Sequence, residues 1–215
     1  MSAAIKIQHL SRAFGSKLVL NDVSLAVAQG ERVGLCGLNG SGKTTLLNIL
    51  NTTITPDFGE AWVAEHGVRT HPDLVRVSIA WMPSTLSGFV PRFTGDENLR
   101  FFAAMDGVTS ERLQSTRARW LEVPLARETL LTPYSLCSDG MKRILSAMRA
   151  LQRDTPVVIL DEPFANLDGP TRAALTTVIR EVTAGRTVLA TAHSDNELAD
   201  IVNRCSWLEG GRIRE

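Results

Sequence analysis

The sequence is short of cysteine, has no surplus charge of either sign and contains no long apolar run. Each shortage removes a class of protein. Cys36, Cys137 and Cys205 are the three cysteines, scattered and odd in number. They show neither metal-ligand spacing nor a disulfide framework, which points to a reducing compartment. Lys plus Arg number 23 and Asp plus Glu number 23, so the formal net charge is zero. Nothing global therefore favours nucleic acid or an anionic membrane as partner. Runs such as Val157-Val158-Ile159-Leu160 fall far short of the roughly 20 residues that span a bilayer. The opening segment MSAAIKIQHLSR lacks the apolar stretch and cleavage site of a secretory signal. A soluble, cytoplasmic chain is expected. No internal repeat, low-complexity tract or Pro/Gly/Ser linker divides it.

What is present is ordinary globular composition, with 44% hydrophobic and 21% charged residues over 215 positions. That length suits one domain, or one large domain with a subdomain, whose core needs no disulfide or metal. Ile5 and Ile7, then Val19, Val23, Leu25 and Val27, alternate with polar residues. This predicts short strands of a half-exposed antiparallel sheet. Residues 32–36 read as a buried strand leading through a glycine-rich turn into a helix over 43–50. From Thr94 to about Leu151 the patterns are helical. Thr94 and Glu97 form a capping box ahead of Leu99, Phe101 and Phe102, read as helix core. Met141, Ile144, Leu145, Met148 and Leu151 share one helix face. Alternation then resumes, with strands over 157–160 and 187–190 and helices over 171–182 and 194–202. Short apolar strands alternating with helices predict a mostly parallel sheet covered on both faces. The fold class is α/β: a core (1–83 and 154–215) with an N-terminal antiparallel β subdomain and a helical insertion over 84–153.

Gly37-Leu38-Asn39-Gly40-Ser41-Gly42-Lys43-Thr44 fits G-x-x-x-x-G-K-[ST] in full, between a predicted strand and a predicted helix. The glycines let backbone wrap a phosphate chain, while N–H groups and the helix start supply donors and positive potential. Lys43 adds charge toward the β- and γ-phosphates, and the Thr44 hydroxyl suits Mg²⁺. Expected nucleotide contacts are Gly37, Asn39, Gly40, Ser41, Gly42, Lys43, Thr44 and Thr45. The strand at 157–160 ends in Asp161 and Glu162. Asp161 suits the Mg²⁺ shell and Glu162 suits polarising an attacking water. His193 follows a parallel-type strand and so lies on the rim where open α/β sheets bind ligands. Capping or backbone bonding is the competing role for that histidine.

The order of these motifs resembles the ATP-binding subunit of an ABC transporter over essentially the whole chain. That resemblance implies a core of the P-loop NTPase type, and an ATPase using ATP and Mg²⁺, peripheral on the cytoplasmic face of the cell (inner) membrane. It implies transmembrane permease subunits as partners, and a homodimer or heterodimer with a second ATP-binding subunit. Nucleic acid is not expected. It assigns Phe14 to adenine stacking, Asp168 of Ala165-Asn166-Leu167-Asp168 to the dimer seam and His193 to the γ-phosphate. Cys137-Ser138-Asp139-Gly140-Met141 takes the place of the family signature, with Ser138 and Gly140 completing the partner's site. Ser138 also reads as a helix cap. Residues 93–102 resemble the export branch, and the chain's small size suits the haem-exporter ATPases of cytochrome c maturation.

Two positions depart from the family pattern. The signature usually reads Leu-Ser-Gly-Gly-Gln, so Asp139 brings a negative charge toward a polyphosphate. After Trp81-Met82-Pro83 the family has glutamine, whereas this chain has Ser84. Slow or partner-dependent hydrolysis is the expected consequence. Two other functions stay open at this point: a non-transport ATPase of the same superfamily in translation or DNA maintenance, and a catalytically silent regulatory subunit.

Overall fold

The computed structural model describes residues 3–214. They divide into two compact units. One contains the chain up to Trp81, Thr155–Glu162 and the chain from Gly185 on; the other contains Met82–Asp154 and Pro163–Ala184.

The first unit begins with two long strands, β1 (Ala3–Phe14) and β2 (Lys17–Ala28), paired antiparallel. Together with β4 (Phe58–Val63) and β5 (His66–Gly67) they form a sheet of order β2-β1-β4-β5. The apolar alternation breaks phase in both long strands. Ile5, Ile7 and Leu10 are buried in β1, and Leu20, Val23, Leu25 and Val27 in β2. Register shifts between these positions account for the break, because one extra residue flips every following side chain to the other face. His9 and Asp22 take left-handed backbone there, with φ of 50° and 59°. Their side chains meet at 2.8 Å.

The second sheet has the order β10-β9-β3-β8-β7-β6. It contains β3 (Arg32–Cys36), β6 (Ile79–Met82), β7 (Val157–Asp161), β8 (Thr187–Ala192), β9 (Arg204–Glu209) and β10 (Arg212–Arg214). β3 runs parallel to β8 and β9, and β7 runs parallel to β8; β10 is antiparallel to β9. All of β7 and β8 is buried, which is why both read as unbroken apolar runs. α1 (Lys43–Leu50) follows β3 and α2 (Pro72–Ser78) precedes β6. Leu46, Leu47, Ile49 and Leu50 of α1 join the core with Leu10, Leu20, Val23 and Leu35.

The predicted helix over 194–202 does not form. The capping box of Ser194 and Glu197 is made, yet only one 3-10 turn, Asp195–Glu197, follows it. The Asn203 N–H already donates to the Arg32 carbonyl at 2.7 Å, so the chain has turned back to the sheet before a helix can propagate.

The second unit is helical: α3 (Gly95–Met105), α4 (Ser110–Trp120), α5 (Ala126–Leu131), α6 (Asp139–Leu151) and α7 (Gly169–Val182). The capping box of Thr94 and Glu97 starts α3. Asn98 is wholly buried; its amide accepts from Val90 N–H and donates to the carbonyls of Val90, Phe93 and Thr94. That satisfies the incoming loop's backbone groups. Leu99 and Phe102 face inward, whereas Phe101 is 43% exposed. Helical spacing sets 99 and 102 on one face and turns 101 away from it, so Phe101 is not the core residue the sequence implied. Met141, Ile144, Leu145, Met148 and Leu151 are all buried, as their spacing required. The Arg149 guanidinium lies over Phe102 at 3.5 Å, and burial lowers its pKa.

Candidate functional site: the phosphate loop and the acidic strand end

The loop after β3 is shaped by glycines with positive φ, two of which stand where a Cβ would crowd neighbouring atoms. Gly42 closes it as the N-cap of α1, with φ 110° and ψ 3°. A Cβ there would stand 2.8 Å from Leu20 Cδ2 and 3.1 Å from the Val19 carbonyl oxygen. A Cβ on Gly37 would reach 2.4 Å from the Leu208 carbonyl oxygen. β2 and β9 therefore press the loop from below, and only bare backbone fits. Gly40, at the loop's outer curve, has no atom within 4 Å of where its Cβ would be.

Lys43 is 5% exposed. Its ammonium donates to the Gly37 carbonyl at 2.6 Å and to the Leu38 carbonyl at 3.3 Å. The side chain thus folds back along the loop and carries its charge within the curve. The Ser41 hydroxyl oxygen is buried without a partner. An orphaned hydroxyl at a curve of backbone donors is a place for an anionic oxygen. Thr44 donates to Asp161 Oδ2 at 2.9 Å, and the Asp161 carboxylate is wholly buried at the C-terminal end of β7. Glu162, next in the chain, has left-handed backbone with φ 51°. Its Oε1 lies 3.5 Å from His193 Nε2. A cleft of about 260 Å³ opens here, lined by Phe14, Lys17, Val19, Asn39, Gly40, Gly42, Lys43, Thr44, Thr45 and Glu162.

Phe14 is 46% exposed at one wall of that cleft. The Arg12 guanidinium lies 4.8 Å from its ring centroid, leaving Phe14 braced by a cation–π contact. Arg12 donates to Asp57 Oδ1 at 2.6 Å, and the Ala13 N–H donates to Asp57 Oδ2 at 2.7 Å. The Ala13 bond and the Arg12 charge hold the Asp57 carboxyl below its ordinary range. The Arg12–Asp57 brace escaped the sequence reading, because the two residues are joined by antiparallel pairing of β1 and β4 rather than by proximity in sequence. Lys17 and Val19 are further wall residues that the motif did not mark.

The remaining expected site residues lie on the helical unit. Ser138 is the N-cap of α6 and accepts from Met141 N–H at 3.2 Å. Asp139 points outward, 67% exposed, with Lys142 Nζ 3.9 Å from its Oδ1. Gly140 opens α6 beside Leu167, whose Cδ2 would lie 3.6 Å from an added Cβ. Asp168 caps α7, accepting from Thr171 N–H at 2.8 Å, which lowers its pKa. Ser84 is half-buried in the turn after β6.

A parallel-sheet core, a glycine-shaped loop with a buried lysine after β3, and a buried aspartate at the end of β7, one strand further across the sheet beyond β8, together define a P-loop nucleoside triphosphatase. The family model described as ABC transporter matches residues 20–165, and the chain belongs to that family, as an ATP-binding ATPase subunit. It is 34% identical over 209 residues to the Nod factor export ATP-binding protein I of Bradyrhizobium diazoefficiens, covering 97% of this chain and 68% of that protein. The protein of the same name from Rhizobium etli is 31% identical over 210 residues, covering 97% of this chain and 66% of the relative. The chain thus spans about two thirds of the length of these curated relatives. A solved ATP-binding subunit of an ABC transporter superposes with a TM-score of 0.87 at 26% identity, over 99% of this chain and 88% of that one. A dimeric ATP-binding cassette bound to ADP and phosphate shares the fold, with a TM-score of 0.85 at 21% identity, over 98% of this chain and 97% of that one. No helix among the described residues is long and apolar enough to cross a membrane.

Proposed function

We propose that this chain is the ATP-hydrolysing motor of an exporter, working as one of a pair of ATP-binding subunits against separate transmembrane permease subunits at the cytoplasmic face of the membrane. One contact carries the reading: Thr44 Oγ1 to Asp161 Oδ2 at 2.9 Å, which sets the acidic end of β7 against the phosphate loop. The names of its relatives, export ATP-binding proteins, support the transport direction. The balanced charge agrees with no nucleic-acid partner.

Among the described residues no cluster of three or more His, Cys, Asp or Glu could hold a metal by itself. The donors present, one hydroxyl and one buried carboxylate, instead fit a hard cation that arrives with the nucleotide. Thr44 and Asp161 would hold Mg²⁺, which when bound offsets charge on the phosphates. The protein's own groups divide the rest. Phe14 offers a ring face to the adenine. Backbone N–H groups of 39–45 and the Lys43 ammonium hold the β- and γ-phosphates and oppose the negative charge that builds as the γ-phosphoryl group transfers. Glu162 orients the attacking water and accepts its proton. His193, 3.5 Å from Glu162, holds the γ-phosphate in line. Ser138 and Gly140 at the start of α6 face the partner's nucleotide, and Asp168 lies at the seam, so neither site is whole until two subunits close. Closing then follows ATP binding and opening follows its loss.

The test is phosphate release by the chain together with the permease that copurifies with it. ATP-dependent release that Glu162→Gln abolishes, with ATP binding retained, supports the reading. Copurification with ribosomes or DNA in place of a membrane protein overturns the exporter assignment.

A further inference from the structure

β7 and β8 lie side by side in parallel, and their register places Asp161 opposite Thr191. Both side chains are wholly buried. Thr191 Oγ1 donates to Asp161 Oδ1 at 2.6 Å. The same oxygen accepts the Glu162 backbone N–H at 3.0 Å. A hydroxyl has one proton to give, and this one gives it to the carboxylate while one lone pair takes the next residue's amide.

We propose that Thr191 is a positioning residue for ATP hydrolysis, orienting the Asp161 carboxylate and the Glu162 backbone through a single hydroxyl. The inference rests on the reading of Asp161 and Glu162 given above.

The bond to Asp161, at 2.6 Å, is at the short end of hydroxyl–oxygen hydrogen bonds. It occupies Oδ1 and leaves Oδ2 on the side of Thr44. The carboxylate is thereby fixed in rotation, with one defined oxygen toward the loop. The bond to Glu162 acts on a residue whose φ of 51° is unfavourable for a side chain with a Cβ. Such a conformation persists where the surroundings fix it. Tethering the amide N–H holds the turn that carries the Glu162 carboxylate to within 3.5 Å of His193. A threonine serving only the strand would bond its own backbone or a neighbouring carbonyl. This one reaches across to two successive acidic residues.

Thr191→Val keeps the shape and removes both bonds; Thr191→Ser keeps both bonds and removes a methyl group. In the chain with its permease, Thr191→Val is expected to lower kcat by about 10- to 100-fold, the range for losing an outer-shell partner of a metal-binding group. KM for ATP, and ATP affinity measured by equilibrium titration without metal, should stay within about twofold, because Lys43 and the loop are untouched. Mn²⁺ binding in the presence of ADP, followed by electron paramagnetic resonance, should weaken several-fold. Thr191→Ser should retain most of kcat and the Mn²⁺ affinity.

Wild-type kcat and Mn²⁺ affinity in Thr191→Val would overturn the proposal. So would a Thr191→Ser variant as impaired as Thr191→Val, since packing of the methyl group would then be what matters. If Thr191→Val has no cooperative thermal transition, Thr191→Ala, which also removes both bonds, takes its place with the same split expected, and wild-type values there overturn the proposal equally. Glu162→Gln, measured alongside, separates the two levels. Undiminished turnover in Glu162→Gln would remove the reading of Glu162 itself, whatever Thr191 does.

Discussion

Glu162 and His193 stand 3.5 Å apart, Oε1 to Nε2, just beyond the C-terminal ends of the neighbouring parallel strands β7 and β8. Open parallel sheets bind ligands at that edge. The sheet thus delivers an acid and an imidazole to one place from positions 31 residues apart in sequence.

Glu162→Gln should stop turnover without stopping binding. The amide keeps the size of the carboxylate but cannot accept a proton from water, so phosphate release should fall by about 10²- to 10⁴-fold. ATP affinity should be near that of the wild type. Unable to complete the reaction, the variant should accumulate as an ATP-bound dimer on size-exclusion chromatography. A variant that stays monomeric and turns over normally would remove Glu162 from the chemistry.

Lys43→Ala should do the reverse. The ammonium is 5% exposed and bound to two loop carbonyls at 2.6 and 3.3 Å, so its charge acts where solvent screens it little. Its loss should weaken ATP binding by at least about tenfold, or about 1.4 kcal/mol. Equilibrium titration with a fluorescent ATP analogue checks this, and unchanged affinity would overturn the role.

How much of this was legible in the sequence depends on whether the residues concerned are neighbours in the chain. The phosphate loop is contiguous from Gly37 to Thr45 and announces itself, as does the strand ending in Asp161 and Glu162. Caps are equally local, and Thr94 and Ser138 each cap a helix as their sequence context predicts, whereas the capping of α7 by Asp168 went unread. Thr191 carries no such mark. Its meaning arises from the register of β7 against β8, which periodicity does not encode. The Arg12–Asp57 brace beneath Phe14 is invisible for the same reason. Local signals also overreached, at Phe101 and after Ser194. Ser194 and Glu197 made their capping box, but a cap does not propagate a helix when the chain must return to the sheet nine residues later at Asn203.

Ser84→Gln tests whether the departure from the family pattern limits the rate. Serine is too short to reach where a glutamine side chain would end. If that shortfall slows hydrolysis, Ser84→Gln should raise Mg²⁺-dependent phosphate release by roughly tenfold, a barrier change of about 1.4 kcal/mol. The variant should also reach half-maximal rate at lower Mg²⁺. A rate unchanged across a magnesium titration would show that Ser84 does not set the pace.

Glu31 links stability to pH. Its Oε1 accepts from Arg204 Nε at 2.7 Å, and its Oε2 accepts from Ala28 N–H at 2.7 Å. The bond from Arg204 is the largest cause of a pKa below the ordinary carboxylate value, with the Ala28 bond and the Arg204 charge adding to it against burial. A carboxylate whose pKa is lowered by folding contributes stability that is fully present above its unfolded value of about 4.3. That contribution is lost as pH falls through the lower folded value. The pair closes a turn between β2 and β3 against β9, yet Glu31 keeps a quarter of its side-chain surface exposed, so solvent screens part of the effect. Glu31→Gln should therefore cost about 1 kcal/mol at pH 7, near the upper end for such pairs. The gap between variant and wild type should narrow steadily below pH 4. Thermal unfolding of both proteins from pH 7 down to pH 3 measures it. A gap that stays constant over that range would mean that the Glu31 charge is not what holds Arg204 and the Ala28 turn in place.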